Sequence, residues 1–309
     1  MVPESRPTLA ESFGLMGTVV TIRAVADQGV HILRAGIGRA LDAMRRVEAA
    51  ASRFDENSEL RALTRTWGED VSVSPMLFHA LKVARAMAEL TDGMFDPTVG
   101  RRMELMGFNR HYLTGDVVKS DFAETDGVSF RDVILIEEDF RVRLQKPMGL
   151  DLGAVAKGLA VDAAAQELAD YAGFVIDAGG DVYVGGLDPD GARWRVGVED
   201  PRSTNRLIAT LQVSNQAVCT SGSYKRKSPN DHTSHHLIDA KTGQSVDGLL
   251  SATVVGPTAI LADVAATAAF LLGRDRALPF MEELGLTGLV VSNGGEVRQT
   301  SSLEVFRGG

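Results

Sequence analysis

Leu150 to Asp162 reads LDLGAVAKGLAVD, a carboxylate and a lysine separated by mostly small residues. Asp151 offers oxygen acceptors where a helix begins. Gly153, Ala154 and Ala156 have almost no side chain, so backbone amides and carbonyls there can meet a ligand directly. Lys157 sits one turn in, where the start of a helix already favours anions. A capped surface helix with an incidental lysine would read the same way. A second stretch, Ile260 to Gly273 (ILADVAATAAFLLG), places Asp263 and Thr267 four apart on a predicted helix, on one face. The alanines around them allow another segment to approach closely. A carboxylate, a hydroxyl and a nearby carbonyl make the all-oxygen set that Mg²⁺ prefers. Because Mg²⁺ also takes phosphate oxygens, so partial a cage implies a phosphorylated ligand, although the pair equally fits a solvated helix face. His236 adds an imidazole able to accept a proton near neutral pH, or to serve as a structural hydrogen bonder.

These residues need elements to hold them. Residues 1–12 read as a loose polar lead, and Met16 to Val25 as a strand by its alternation and β-branching. Val30 to Ala50 carries apolar residues at helical spacing. Ser58 is placed to cap a short helix through Leu63, and Ser74-Pro75 to start one that runs to Leu90. Short helical pieces follow around Gly93, Pro97, Gly100 and Gly107, then a polar connector over 109–127. Val128 to Ile136 and Phe140 to Leu144 read as a hairpin. Beyond the Lys157 helix, strands are expected at Gly173–Asp177, Val182–Val184, Arg193–Val198, Leu207–Val213, Ala217–Thr220, His235–Asp239 and Ser251–Val255. A polar, basic loop occupies 222–234. Thr258 to Leu272 is a helix closed by Gly273, followed by a last helix near 276–284 and strands near 288–292 and 296–299. Asp177 and Asp181 flank Gly179-Gly180, which reads as a turn more than as part of a site. Strands and helices do not alternate regularly, so a mixed, largely antiparallel α+β architecture is expected rather than a doubly wound sheet.

With 309 residues the chain can bury a large core. A net charge of −9 argues against a nucleic-acid or anionic-membrane surface, which needs concentrated Lys and Arg. A single cysteine, Cys219, excludes an internal disulfide and reads as packing. Residues 1–14 show neither a signal-peptide pattern nor a lipid-anchoring cysteine, so the expectation is a cytoplasmic protein, or a periplasmic one if a leader precedes them.

Nine segments, in order, resemble the ApbE family of FAD:protein FMN transferases. They are MGT at Met16, SRFDENSEL at Ser52, TDGMFDPTVG at Thr91, MGF at Met106, DLGAVAKGLAVD at Asp151, DAGGDVYVGG at Asp177, TSGSY at Thr220, HHLIDAKTG at His235 and ADVAATAAFLLG at Ala262. Each is weak alone; their shared order makes the resemblance specific. It implies one large ApbE/T-fold-like domain over 13–309, after a flexible lead at 1–12. It also implies transfer of FMN from FAD to a Thr or Ser hydroxyl of an acceptor protein with an Asp-Gly-x-Thr/Ser-type site, releasing AMP.

By the same resemblance, the Ala154 carbonyl, Asp263 and Thr267 correspond to Mg²⁺ ligands. Met16, Phe54, Met106, Gly107, Phe108, Asp151, Lys157 and Ile238 correspond to FAD-contacting positions. Phe54 stands where many members have tyrosine, and Met106 where tryptophan is usual, which changes one hydrogen bond and one stacking contact. Lys157 would add positive charge at the pyrophosphate, and His236, ahead of Asp263, would take the acceptor's proton. The same site with water as acceptor would be an FAD pyrophosphatase, and without turnover an FAD-binding protein.

Overall fold

Described in the computed structural model are residues 6–27, 29–111, 114–120, 127–203, 205–231 and 233–306. The first half contains β1 (Thr8–Leu15), β2 (Thr18–Val25), α1 (Val30–Ala51), α2 (Glu59–Thr64), β3 (Val71–Ser72), α3 (Pro75–Leu90), α4 (Gly100–Leu105), β4 (Val133–Ile136) and β5 (Arg141–Leu144). Then come α5 (Gly153–Glu167), β6 (Gly173–Ala178), β7 (Asp181–Gly186), β8 (Trp194–Glu199), β9 (Leu207–Val213), β10 (Gln216–Gly222), β11 (Ile238–Asp239) and β12 (Gln244–Ser245). The chain continues through β13 (Leu249–Gly256), α6 (Ala259–Glu283), β14 (Thr287–Ser292) and β15 (Val297–Gln299).

Alternating β-branched residues build an eight-stranded sheet in the order β1-β2-β6-β7-β10-β13-β14-β15. Every neighbouring pair in it is antiparallel. The architecture is therefore mixed α+β, with largely antiparallel sheets. Helices α1, α5 and α6 cover one face, around Ile22, Ile37, Met44, Val161 and Phe270. The β8–β9 hairpin covers the other, where Trp194, Leu211 and Val213 pack on Val184, Val218 and Leu289. The Trp194 indole N–H donates to the Gly185 carbonyl at 3.0 Å, so even this apolar layer leaves its polar atom paired. A small β3-β5-β4 sheet flanks α3.

Caps act where the sequence places them: the Ser58 and Ser74 hydroxyls accept from the Arg61 and Leu77 amides at 3.1 and 3.2 Å. Three local expectations change. The polar stretch assigned to a lead contains β1 from Thr8, paired residue by residue with β2. The strand expected over 128–136 is confined to Val133–Ile136, because Ser129 and Asp132 form a capping box around a 3₁₀ turn. The strand expected over 235–239 shortens to Ile238–Asp239. Gly273 does break the helical path, at φ 76°, but the chain resumes as helix to Glu283. Part of the 109–127 connector, and His232 in the basic loop, lie outside the described residues.

The packing of α5 on α6 positions the site. The Asp162 carboxylate, on α5, accepts the Ala259 and Ile260 amides at 2.7 and 2.9 Å, satisfying the otherwise unpaired start of α6. At Gly158 a Cβ would lie 2.4 Å from the Ala259 carbonyl oxygen, so only glycine permits this approach. Asp263 and Thr267 are thereby brought against the first turn of α5. At the other end, the Gly100 amide donates to Gly149 O at 3.0 Å and the Asp151 amide to Pro97 O at 2.7 Å. The start of α5 is thus fixed from both sides.

Candidate active site

A cavity of about 760 Å³ opens where α5, the N-terminal half of α6 and the ends of the central strands meet. Met16, Asp151, Ala154, Lys157, His236, Ile238, Asp263 and Thr267 all line it, although they come from four separate parts of the chain. Phe54, Met106, Gly107 and Phe108 are absent from its lining. The Phe108 side chain packs with Met103 and Ile238 behind the cavity wall, against Met106. Phe54 lies under the Arg53 guanidinium, 4.1 Å from ring centroid to Cζ. Met16 takes a left-handed φ of 53° in the β1–β2 turn, and its amide is held by Glu48 Oε1 at 2.7 Å.

At the centre, the Lys157 ammonium meets the Asp181 carboxylate in a short contact and Asp263 Oδ2 at 3.3 Å. Asp181 and Asp263 are 3% and 2% exposed, so both carboxylates have left water. Burial raises the Asp263 pKa to about 7; the Asp181 charge adds to the rise and Lys157 opposes it. Burial alone would pull the Lys157 pKa down, but the two carboxylates outweigh it and the net shift is upward. Lys157 is therefore an ammonium at neutral pH.

The Gly158 amide donates to Asp263 Oδ2 at 3.1 Å. In a regular helix that amide belongs to the carbonyl four residues earlier, Ala154. The Ala154 carbonyl thus shares or loses its usual donor on the side of the cavity. Thr267 Oγ1 lies one turn beyond Asp263, 2.8 Å from Ser221 Oγ. Two buried carboxylates facing one ammonium, with hydroxyls and a helix-start carbonyl beside them, form an oxygen-only set with surplus negative charge. Such a set fits a hard divalent cation such as Mg²⁺. Among the described residues no three His, Cys, Asp or Glu side chains cluster as ligands, so a cation here would depend on those other oxygens.

Near the start of α5 the charges reverse. Asp151 Oδ2 is 2.6 Å from Arg53 Nε, and its Oδ1 accepts the Gly153 amide at 2.7 Å, anchoring the helix from just before its first residue. Burial would raise the Asp151 pKa, but Arg53, the Gly153 amide and Arg226 together lower it. Arg53 also donates to the Phe108 carbonyl in a short bond. His236 Nδ1 lies 3.3 Å from the Arg226 carbonyl, which can only accept, so Nδ1 carries the proton and Nε2 the lone pair. Burial, and then the Arg226 charge, push the His236 pKa down to about 3. Its neighbour His235 instead packs edge-on against Phe270 in the core. Cys219 is fully buried, with its thiol 3.7 Å from the Ala259 carbonyl and its pKa pushed well up, as expected of a packing residue.

For Asp181 the sequence favoured a turn over a place in the site. Of the two acids flanking Gly179-Gly180, Asp177 does turn the chain, accepting the Gly180 amide at 2.9 Å. Asp181 faces Lys157 instead. Ser221 and Arg226 are further cavity residues that spacing alone did not single out.

The architecture and this cavity define an α+β protein with a polar cleft lined by charged side chains from α5, α6 and the central strands. The chain belongs to the ApbE family, whose sequence model matches residues 16–290. It is 29% identical to the FAD:protein FMN transferase of Treponema pallidum, over 94% of this chain and 86% of that one. With the FAD:protein FMN transferase of Vibrio cholerae the identity is 27%, over 86% and 82%. Among solved structures it is similar to the ApbE protein from Thermotoga maritima, with a TM-score of 0.86, 29% identity and coverage of 98% and 100%. The flavin transferase ApbE from Vibrio cholerae gives a TM-score of 0.80 at 25% identity, covering 97% and 99%. No helix among the described residues is long and apolar enough to cross a membrane.

Proposed function

We propose that this protein transfers FMN from FAD to a threonine or serine hydroxyl of an acceptor protein bearing an Asp-Gly-x-Thr/Ser-type site, releasing AMP and depending on Mg²⁺. The observation that carries this reading is the convergence of Ala154, Lys157, Asp263 and Thr267, from α5 and α6, on one cavity. Ala154 O, the Asp263 carboxylate and the Thr267 hydroxyl would hold Mg²⁺. When bound, that ion neutralises diphosphate oxygen charge and so favours displacement at phosphorus. Met16, Asp151 and Ile238 would contact FAD directly, while Phe54, Met106, Gly107 and Phe108 would shape the wall behind them.

Phosphoryl transfers depend on positioning and charge stabilisation more than on covalent help from the protein. Lys157 has three N–H donors, now spread over one Asp181 oxygen and both Asp263 oxygens, and giving up one of the two long Asp263 contacts would free a donor for a diphosphate oxygen. The acceptor oxygen bonds to the FMN phosphorus as the P–O bond to AMP breaks. Its proton would pass to the free Nε2 of His236, whose lowered pKa keeps the ring neutral at physiological pH but also makes it a weak base unless bound phosphate charge raises it. AMP leaves with the bridging oxygen, and the imidazolium returns its proton to solvent.

The test is incubation with FAD, Mg²⁺ and an acceptor fragment. Flavin fluorescence that stays on the denatured acceptor is the expected result. AMP release without a labelled acceptor would make the protein an FAD pyrophosphatase; FAD binding without AMP release would make it a binding protein.

A further inference from the structure

Asp181 and Asp263 both hold Lys157, yet they are placed differently. Asp263 also accepts the Gly158 amide and sits one helical turn from Thr267. Asp181 arrives from the other side, at the first residue of β7, in register with Cys219 of β10. Its position is tightly determined. The preceding Gly179 and Gly180 adopt φ of 70° and 100°, and a Cβ on Gly179 would fall 2.2 Å from Thr18 Oγ1. Its side chain is 4% exposed, against 28% for the lysine it meets. A carboxylate so deeply buried costs stability unless it is paired.

We propose that Asp181 is a positioning residue that draws Lys157 away from Asp263 and so frees the Asp263 carboxylate for a divalent cation. This rests on the metal ligands assigned under the transferase reading. With Asp181 present, the ammonium has a second carboxylate and need not neutralise the first. Without it, Lys157 settles on Asp263 alone, where its charge opposes a cation bound to the same oxygens. Asp181 need not touch cation, FAD or acceptor to have this effect.

The experiment measures Mn²⁺, an oxygen-preferring divalent ion with a free-ion EPR signal, titrated into the full chain with and without FAD. Asp181→Asn should raise the Mn²⁺ dissociation constant at least about tenfold, an electrostatic loss comparable to that of one close charge pair. The double variant D181N/K157M should bring it back to within about threefold of wild type, because the competing ammonium is gone. A residue that only supports the fold would lower the melting temperature in D181N and show no recovery in the double variant. Unchanged Mn²⁺ affinity in D181N, or no recovery, overturns the assignment to Asp181 and leaves the transferase reading intact. Failure of the wild type to bind Mn²⁺ at all removes the metal site and this proposal together. If D181N does not fold, Lys157→Met alone decides the matter. It should bind Mn²⁺ at least as tightly as wild type while FAD binding weakens; weaker Mn²⁺ binding would overturn the proposal.

Discussion

The two ends of the α5 start carry opposite charge surpluses. Before the helix, two guanidinium groups, Arg53 and Arg226, act on one carboxylate, Asp151. One turn in, two carboxylates, Asp181 and Asp263, share one ammonium, Lys157. Both clusters border the same cavity, so neither imbalance is an accident of a crowded surface. In the first, Arg53 reaches the Phe108 carbonyl and Asp151 the Gly153 amide, while Arg53 Nη1 is buried without a hydrogen-bond partner. In the second, Asp263 lines the cavity, paired with Lys157 and the Gly158 amide, with its pKa raised by burial and by the Asp181 charge. The first cluster anchors the start of α5, and the second supplies the carboxylates and ammonium of the proposed site.

Removing one acid from each cluster should separate these roles. Asp263→Ala is expected to cut Mg²⁺-dependent AMP release by on the order of a thousandfold, as loss of a main charge-stabilising group does. Its urea midpoint should not fall, because the change removes surplus negative charge. AMP release at the wild-type rate would withdraw the metal assignment. Arg53→Met attacks the other cluster and strands a buried carboxylate. It should cost about 3–5 kcal/mol of stability in urea unfolding, whether or not FAD is present. A variant as stable as wild type would show that Arg226 alone can serve Asp151.

Gly158→Ala sharpens the comparison from the backbone. The added methyl meets the Ala259 carbonyl and the Ile260 Cα, at 2.4 and 2.6 Å, so α5 and α6 must separate. A loss of about 1–3 kcal/mol is expected. FAD and Mn²⁺ binding should weaken together, since Ala154 and Asp263 sit on opposite sides of that contact. Binding unchanged beside a lowered melting temperature would mean that the site tolerates helix displacement.

What could be read in advance follows from locality. Asp263 and Thr267 were legible because four residues make one helical turn, and Lys157 because small residues precede it at a helix start. The Ser74-Pro75 and Gly273 signals were legible for the same reason. Asp181 was not, since its partner is set by the register of β7 on β10, which local spacing does not contain. Nor was Asp162, which reads as an ordinary helical residue yet caps a helix 97 positions away. β1 was hidden by its polar content: as an edge strand it leaves alternate residues exposed. The ApbE resemblance supplied Met106 to Phe108 as contact positions; the Met106 and Phe108 side chains pack with Met103 and Ile238, two residues that line the cavity.

His236 provides the finest distinction between the clusters, because it borders the positive one and is depressed by Arg226. Its folded pKa of about 3 lies below its ordinary 6.5, so between these values the unfolded chain binds more protons than the folded one. Stability therefore rises with pH from about 3 to about 6.5 and levels off above. His236→Asn should remove that slope without changing the plateau, and the gap between the urea midpoints at pH 7 and pH 5 should narrow. The change should amount to about 1 kcal/mol or less, because the ring is only half-buried and solvent screens part of the Arg226 charge. His235 also has a lowered pKa from burial, but it remains in both proteins and cancels in the comparison. An unchanged gap would place an ordinary imidazole at position 236, charged at pH 5 and a stronger base near pH 7 than one held at about 3.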